Sequence, residues 1–310
     1  MNTTVLSGAF LERLGRRAIH SKRAFLGARQ GIHKSLRKGH GIEFADYRKY
    51  SLGDNPRQID WGVYARSDRL YVKQFREEEN LTVLVAVDGS NSMLFPFGDR
   101  KWSRVEEIAL SLSYVTLMNQ DSLSLAIVGG SDSSTAAQHL SNLAGGPAYH
   151  RVAALLAQRA EEAQKAQGAQ EAQSSSLYND LRATVTKMRF PGKAIFISDF
   201  LYDLEEIDAL FNILIAKNLD IAAIQILGDN DIEPLKGLKE ARVMDSEHAS
   251  KIEIGLSAKE RKKYTELLKT HTQAVAQLAK RRSIQFVSMT SKEALEDVVF
   301  SKMISTGVFR

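Results

Sequence analysis

Seven residues, Leu81 to Val87 (LTVLVAV), run without a charge and stop at Asp88. A stretch that short, and apolar at odd and even positions alike, suits a strand covered on both faces in the middle of a parallel sheet. Gly89-Ser90-Asn91-Ser92 follows directly. In an extended loop alternate side chains share a side, so Asp88, Ser90 and Ser92 can present three oxygens to one point. Hard cations such as Mg²⁺ take oxygen ligands and keep several waters, so one carboxylate with two hydroxyls makes a half-site. Open α/β sheets bind ligands at the C-terminal ends of their strands, which is where this triplet falls. The competing reading has Asp88 and Ser90 merely hydrogen-bonding loop amides, with no metal.

The rest of the chain alternates in the same sense. Lys101 to Asn119 is predicted helical, Ser122 to Val128 a strand ended by Gly129-Gly130, and 131–147 an edge strand with loops. Arg151 to Gln173 is predicted helical, low in complexity near its end, and Ser174-Ser175-Ser176 offers hydroxyl caps to a helix carrying Leu177, Leu181 and Val185. Lys193 to Ser198 (KAIFIS) is a second buried strand, ending in Asp199. Ile207–Leu219 then predicts helix, Ile221–Leu227 strand, and Ala241–Met244 a short strand. Ser257 with Glu260 forms a capping box for a helix through Arg282, followed by a strand at Ile284–Met289 and a closing helix at Lys292–Ile304. This order predicts a doubly wound, mostly parallel α/β sheet over 79–310, with 1–78 as a basic N-terminal extension.

Residues 1–40 hold nine lysines and arginines (Arg13 to Lys38) against one acid, Glu12. That net +8 within a total of +5 leaves the other 270 residues at −3. Such an arm suits an acidic protein face, a membrane surface or nucleic acid, and equally a solvated helical face. Helix is predicted over 8–30, broken at Gly31 and at Gly39-His40-Gly41. No aromatics interleave the charges, which weakens the nucleic-acid version. The chain has no run of about eighteen apolar residues, and MNTTVLSGAFLERLGRR puts its charges after its apolar residues, the wrong order for a secretory signal. With no cysteine, the expectation is a cytoplasmic protein.

Between arm and strand lies a dense block, Gly41 to Gln74, mixing Phe44, Tyr47, Tyr50, Trp61, Tyr64 and Tyr71 with Asp46, Arg48, Asp54, Arg57, Asp60 and Arg66. Gly53-Asp54-Asn55-Pro56 is a turn, and Leu70–Phe75 a strand. Paired acids and arginines among aromatics predict a buried, salt-bridged network rather than an active site. The positions Gly41, Glu43-Phe44, Asp46-Tyr47-Arg48, Tyr50, Gly53-Asp54, Arg57, Ile59-Asp60-Trp61, Ala65-Arg66 and Leu70-Tyr71-Val72-Lys73 resemble the signature of domain-of-unknown-function family 58. In that family the signature runs into a von Willebrand factor type A-like, Rossmann-like domain opening on D-x-S-x-S-M, and here Asp88 to Met93 follows.

The resemblance implies a metal ion-dependent adhesion site built from three loops. The first maps to Asp88, Ser90 and Ser92, and the third, an Asp, to Asp199. The second, usually Thr, departs from the pattern. Aligning on Leu177 and Leu181 places Ser175 there, with Ser176 in reserve. Such a donor set suits Mg²⁺ or Mn²⁺ rather than Zn²⁺. The resemblance further implies a partnership with a MoxR-type AAA+ ATPase, as adaptor or co-chaperone in the maturation or assembly of client proteins.

Enzymatic classes fit poorly. A haloacid dehalogenase-type phosphatase needs an Asp where Ser90 stands, no G-x-S-x-G elbow or P-loop occurs, and the seven histidines form no H-x-x-x-H or H-E-x-x-H pair. The sequence therefore predicts a non-enzymatic, metal-dependent interaction module. The alternative is an anionic-surface or nucleic-acid binder working through residues 13–38, which predicts salt-sensitive, chelator-resistant binding.

Overall fold

The computed structural model describes residues 6–21, 30–39, 43–79, 81–96, 99–130, 138–166, 176–188, 192–234, 240–244, 251–255 and 258–310. Of residues 30–39, 43–45, 74–79, 166, 240–244, 251–255 and 258 the backbone alone is described. A helix α1 (Gly8–Leu14) precedes strands β1 (Gln30–Gly39) and β2 (Glu43–Lys49), helix α2 (Trp61–Ser67) and β3 (Tyr71–Glu79). Then come β4 (Thr82–Asp88), α3 (Asn91–Leu94), α4 (Lys101–Met118), β5 (Ser122–Val128), β6 (Gln138–Leu143), α5 (Pro147–Ala166) and α6 (Leu177–Lys187). The chain continues through β7 (Lys193–Ser198), α7 (Leu204–Ala216), β8 (Asp220–Leu227), α8 (Asp229–Ile232), a hairpin of β9 (Glu240–Met244) and β10 (Lys251–Gly255), α9 (Ala258–Arg281) and β11 (Gln285–Thr290). It closes in short helical turns between Leu295 and Ser305.

Two larger sheets result. One is antiparallel, in the order β1-β3-β2; the other has six strands in the order β11-β8-β7-β4-β5-β6, all parallel except β6 against β5. The α/β class and the mostly parallel sheet predicted from the sequence are what the molecule has. Strand β4 sits between β5 and β7, and its alternate residues feed two cores. Val83, Val85 and Val87 join residues of α1, α4, α5 and the closing turns, while Leu84 and Ala86 join α6, α7 and α9. With Val83, Leu84, Val85 and Val87 fully buried, each contributes about 1.5–3 kcal/mol of burial. That explains why the run carries no polar residue on either face.

Close backbone approach fixes Gly192 just before β7. A Cβ there would lie 2.0 Å from the Thr82 carbonyl oxygen, while the Gly192 carbonyl accepts from the Asp220 amide at 2.9 Å. Gly192→Ala is therefore expected to cost about 1–3 kcal/mol by overpacking, read as a lower denaturant midpoint at unchanged slope.

At the N-terminal edge of the same sheet, Lys193, Asp220 and Gln285 open three adjacent parallel strands. Lys193 is fully buried and donates to Asp220 Oδ2 at 2.9 Å and to the Gln285 side-chain oxygen. Ser21 Oγ adds a bond to Asp220 Oδ2 at 3.2 Å.

Three expectations need correction. The helix predicted over 8–30 ends at Leu14, where the Gly15 amide closes on Leu11, and the strand β1 stands where its tail and the Gly31 break were expected. Past Gly15 the backbone bonds to the far end of the chain instead, the Ala18 and His20 amides donating to the Arg310 and Val308 carbonyls. The closing helix is delayed to Leu295, because the Ser291 amide is held by the Leu227 carbonyl and the Thr290 amide by Glu293 Oε1. It then runs through a π-turn at Val298–Lys302. Ala241–Met244 is one arm of a hairpin whose second arm was not foreseen. Ser257, expected to cap α9, lies outside the described residues.

Residues 6–21, counted from sequence with the basic arm, pack on the α/β body. Leu6, Phe10 and Leu14 are buried, Phe10 meets Phe300 edge-on at 5.3 Å, and Ile19 bridges Phe309. Arg13 lies 4.2 Å over the Phe300 ring and 2.7 Å from Glu296. Among the described residues no helix is long and apolar enough to cross a membrane.

Candidate functional site

From β4 the chain leaves toward β5, and from its neighbour β7 it leaves the other way, toward β8. Adjacent strands whose connections diverge open a crevice at their C-terminal ends, the usual ligand position in open α/β sheets. Asp88 ends β4 and Asp199 follows β7, so both carboxylates enter this crevice. The loop after Asp88 is held on two sides. The Gly89 amide donates to the Val128 carbonyl at 2.7 Å, and its carbonyl accepts from Arg159 Nη2 at 2.6 Å and Nε at 3.2 Å. A Cβ at 89 would lie 2.4 Å from Ile127 Cγ2, so only glycine lets the loop sit this low against β5.

Asp88 is the hub. Its Oδ1 accepts from the Ser90 amide at 3.0 Å, and its Oδ2 from Ser198 Oγ at 2.7 Å and the Tyr202 hydroxyl at 2.8 Å. The Tyr202 hydroxyl also lies 3.3 Å from Ser90 Oγ, and the Ser90 and Ser92 hydroxyls are 3.0 Å apart. Asp199 Oδ1 accepts from the Leu201 amide at 3.2 Å and Oδ2 from Lys101 Nζ at 3.1 Å. Lys101 Nζ further meets Asp231 Oδ2 at 2.7 Å and the Ser92 carbonyl at 2.9 Å. Asp88, Asp199 and Lys101 are all buried.

Electrostatics follow from that burial. Loss of water raises the Asp199 carboxyl to about 6; Lys101 opposes the rise, while Asp88 and Asp231 add to it. Burial works against the Lys101 ammonium as well, yet Asp199 and Asp231 outweigh it and hold its pKa above the ordinary lysine value. Burial, reinforced by Asp88, pushes the Tyr202 hydroxyl upward, so it stays protonated and donates.

The crevice thus gathers four of the five residues singled out from sequence: Asp88, Ser90, Ser92 and Asp199. Ser175 lies outside the described residues. Ser176 caps α6, accepting from the Asn179 amide at 3.5 Å. Sequence reasoning missed Lys101, Ser198, Tyr202 and Asp231. Lys101 sits in the run Asp99-Arg100-Lys101, which looks like ordinary surface charge, and Tyr202 in a loop with no motif. Ser198 alone carried a signal, as the strand residue next to Asp199.

The oxygens fit a hard cation in part. Octahedral Mg²⁺ with bonds of about 2.1 Å places neighbouring ligands about 3.0 Å apart. The Ser90 and Ser92 hydroxyls match that spacing, which a hydroxyl–hydroxyl hydrogen bond shares. Among the described residues no group of three or more His, Asp or Glu side chains is disposed to hold a metal. A cation here would therefore rest on hydroxyls, one or two carboxylates and waters, the habit of Mg²⁺ or Mn²⁺.

The Gly41–Gln74 block forms its network in the open. Arg48 pairs with Asp54 at 2.7 Å, Lys73 with Asp60 at 3.1 Å, and Tyr47 donates to Asp60 at 2.8 Å. Hydrogen bonds from Tyr47 and Lys73 hold the Asp60 carboxyl at about 2. The expected burial fails: Trp61 is 60% exposed and Leu52 fully exposed. Among the described side chains of this unit, Ile59 and Val72 are the buried apolar ones.

Fold and site together define an α/β protein with an oxygen-lined crevice, lysine-bridged on one side, at the switch point of a mostly parallel sheet. The chain belongs to the family described as protein of unknown function DUF58, whose model matches residues 46–274 and so takes in most of the α/β body together with β3 and part of β2, but not β1. Among its relatives are the uncharacterized protein Rv1480 of Mycobacterium tuberculosis and the uncharacterized protein Mb1516 of Mycobacterium bovis. Each is 25% identical over 279 residues, covering 88% of this chain and 82% of the relative. Two solved structures show a slight likeness over 73% of this chain. The conserved hypothetical protein BatB of Bacteroides thetaiotaomicron is 10% identical with a TM-score of 0.36, over 98% of its own chain. An aerotolerance-related membrane protein of Bacteroides fragilis is 11% identical with a TM-score of 0.35, over 100% of its own.

Proposed function

We propose that this protein is a non-enzymatic interaction module of the von Willebrand factor type A kind, joined to its partner through a divalent cation. Asp88, Ser90, Ser92 and Asp199 would hold Mg²⁺ or Mn²⁺, with Ser175 as the second-loop ligand. When bound, the cation supplies a Lewis-acidic position that a partner's acidic side chain completes. The partner proposed is a MoxR-type AAA+ ATPase, for which this chain acts in the cytoplasm as adaptor or co-chaperone toward a client protein.

One observation carries the reading: two hydroxyls at 3.0 Å beside a buried carboxylate, at the divergence of β4 and β7. The side chains around them favour binding over chemistry. Asp88 accepts from three donors, and the serine bonded to it through its hydroxyl, Ser198, is fully buried. His271 Nε2 lies 2.7 Å from the Phe200 carbonyl oxygen and so engages backbone. The alternative, a basic arm at 13–38, is weaker for Arg13 and Arg16, which pair with Glu296 and Glu12 within the chain.

The test is a pull-down from native extract with the tagged full chain, in Mg²⁺ and in excess chelator, beside Ser92→Ala. Retention of an AAA+ ATPase is expected in Mg²⁺ and lost in chelator, with roughly tenfold less retained by Ser92→Ala, the loss of about 1.4 kcal/mol from one ligand hydroxyl. Retention that ignores the chelator but fails at high salt would assign binding to the basic arm instead.

A further inference from the structure

The crevice contains a cation of its own. An ammonium has three protons to donate and no acceptor, and Lys101 meets three acceptors: Asp199 Oδ2 at 3.1 Å, Asp231 Oδ2 at 2.7 Å and the Ser92 carbonyl at 2.9 Å. Its side chain is 3% exposed, so these contacts replace its hydration. We propose that Lys101 is an internal counter-ion that exchanges with the divalent cation: it holds Asp199 and the Ser92 loop in the metal-free protein, and releases Asp199 when the metal enters. Cation binding is then a swap within the site rather than a simple addition. The inference rests on the metal reading above and adds its regulation.

Geometry gives the ammonium somewhere to go. Asp231 is fixed independently of Lys101, its Oδ2 accepting from the Gly228 amide at 2.8 Å and its carbonyl from the Tyr264 hydroxyl at 2.8 Å. A lysine that gives up Asp199 therefore keeps two of its three partners and stays in place. Charge sets the direction. Asp199 and Asp231 share the single charge of Lys101, Asp88 is held by the neutral donors Ser90, Ser198 and Tyr202, and Asp99 is turned to the Asp229 and Asn230 amides. Negative charge left over in a buried site is costly, and a divalent cation cancels it. The bond to the Ser92 carbonyl links the two events, because the backbone that carries one metal-facing hydroxyl also seats the ammonium. Lys101 thus lowers cation affinity enough to keep binding reversible, and prevents collapse of the empty site.

The experiment uses Mn²⁺ alone, titrated calorimetrically into the full-length protein, with wild type beside Lys101→Met and Lys101→Gln. Removing a competing positive charge is expected to tighten Mn²⁺ binding by roughly tenfold or more in both variants. In chelator the variants should melt below wild type, and Mn²⁺ should raise their melting temperature by more than it raises that of wild type. Lys101→Gln keeps a side chain that donates to the same acceptors, so it serves if Lys101→Met does not fold. Variant affinity equal to or weaker than wild type would overturn the exchange. Binding by the variants but not by wild type would support Lys101 as the site's resident cation while removing the metal-dependent function. Binding by none of the three proteins would overturn both.

Discussion

Asp88→Ala is expected to lower stability by about 3 kcal/mol and to abolish cation binding, two effects that Asp88→Asn should separate. The alanine removes the acceptor shared by the Ser90 amide, the Ser198 hydroxyl and the Tyr202 hydroxyl, all within a buried site. A buried donor left without a partner costs about 1–3 kcal/mol, and water entering the vacated space recovers part of the sum. Asparagine keeps one acceptor oxygen for the Ser90 amide, and its amide protons face two hydroxyls that can turn to accept. Asp88→Asn should therefore fold within about 1 kcal/mol of wild type while losing the charge a divalent cation needs. Denaturant unfolding measures the first effect and Mn²⁺ titration the second. Wild-type stability in the alanine variant would deny Asp88 its role as hub, and undiminished Mn²⁺ binding in the asparagine variant would remove it from the metal site.

The second large effect belongs at the other end of the sheet. Lys193→Met is expected to cost about 3–5 kcal/mol, because it leaves Asp220 charged in a buried place without its cation. Lys193 also reaches Gln285, whose amide donates to the Thr306 and Gly307 carbonyls, so one ammonium ties β7, β8, β11 and the closing turn together. Adding Asp220→Asn should restore part of the loss, since replacing both partners removes the orphaned charge. The folded fraction should bind Mn²⁺ as wild type does, because Lys193 opens the strand whose other end carries Ser198. A Lys193→Met protein as stable as wild type would mean that Ser21 and water satisfy Asp220 unaided.

How much of this was legible in sequence depended on how far each signal reaches along the chain. The Leu81–Val87 run announced a central strand because both its faces are buried, and Asp88, Ser90 and Ser92 came with it as neighbours. KAIFIS pointed to Asp199 in the same way. Lys101 stayed hidden because its meaning depends on Asp199 and Asp231, 98 and 130 positions away, brought together only by the sheet. Periodicity cannot distinguish a buried lysine from a solvated one. The antiparallel unit was obscured for another reason: Tyr47, Trp61 and Tyr64 stand exposed where composition suggested a buried network.

The bridge between Ile19 and Phe309 has a consequence for the size of the cooperative unit. Backbone bonds from Ala18 to Arg310, from Arg310 back to Ala18 and from His20 to Val308 stitch a segment ahead of the matched span 46–274 to one behind it. β11 lies beyond that span too, and without it β8 would present an open parallel edge, a template for wrong pairing. The cooperative unit therefore extends past the matched span at both ends. Its two flanks, distant in sequence, close on each other like a clasp around the α1 side of the sheet.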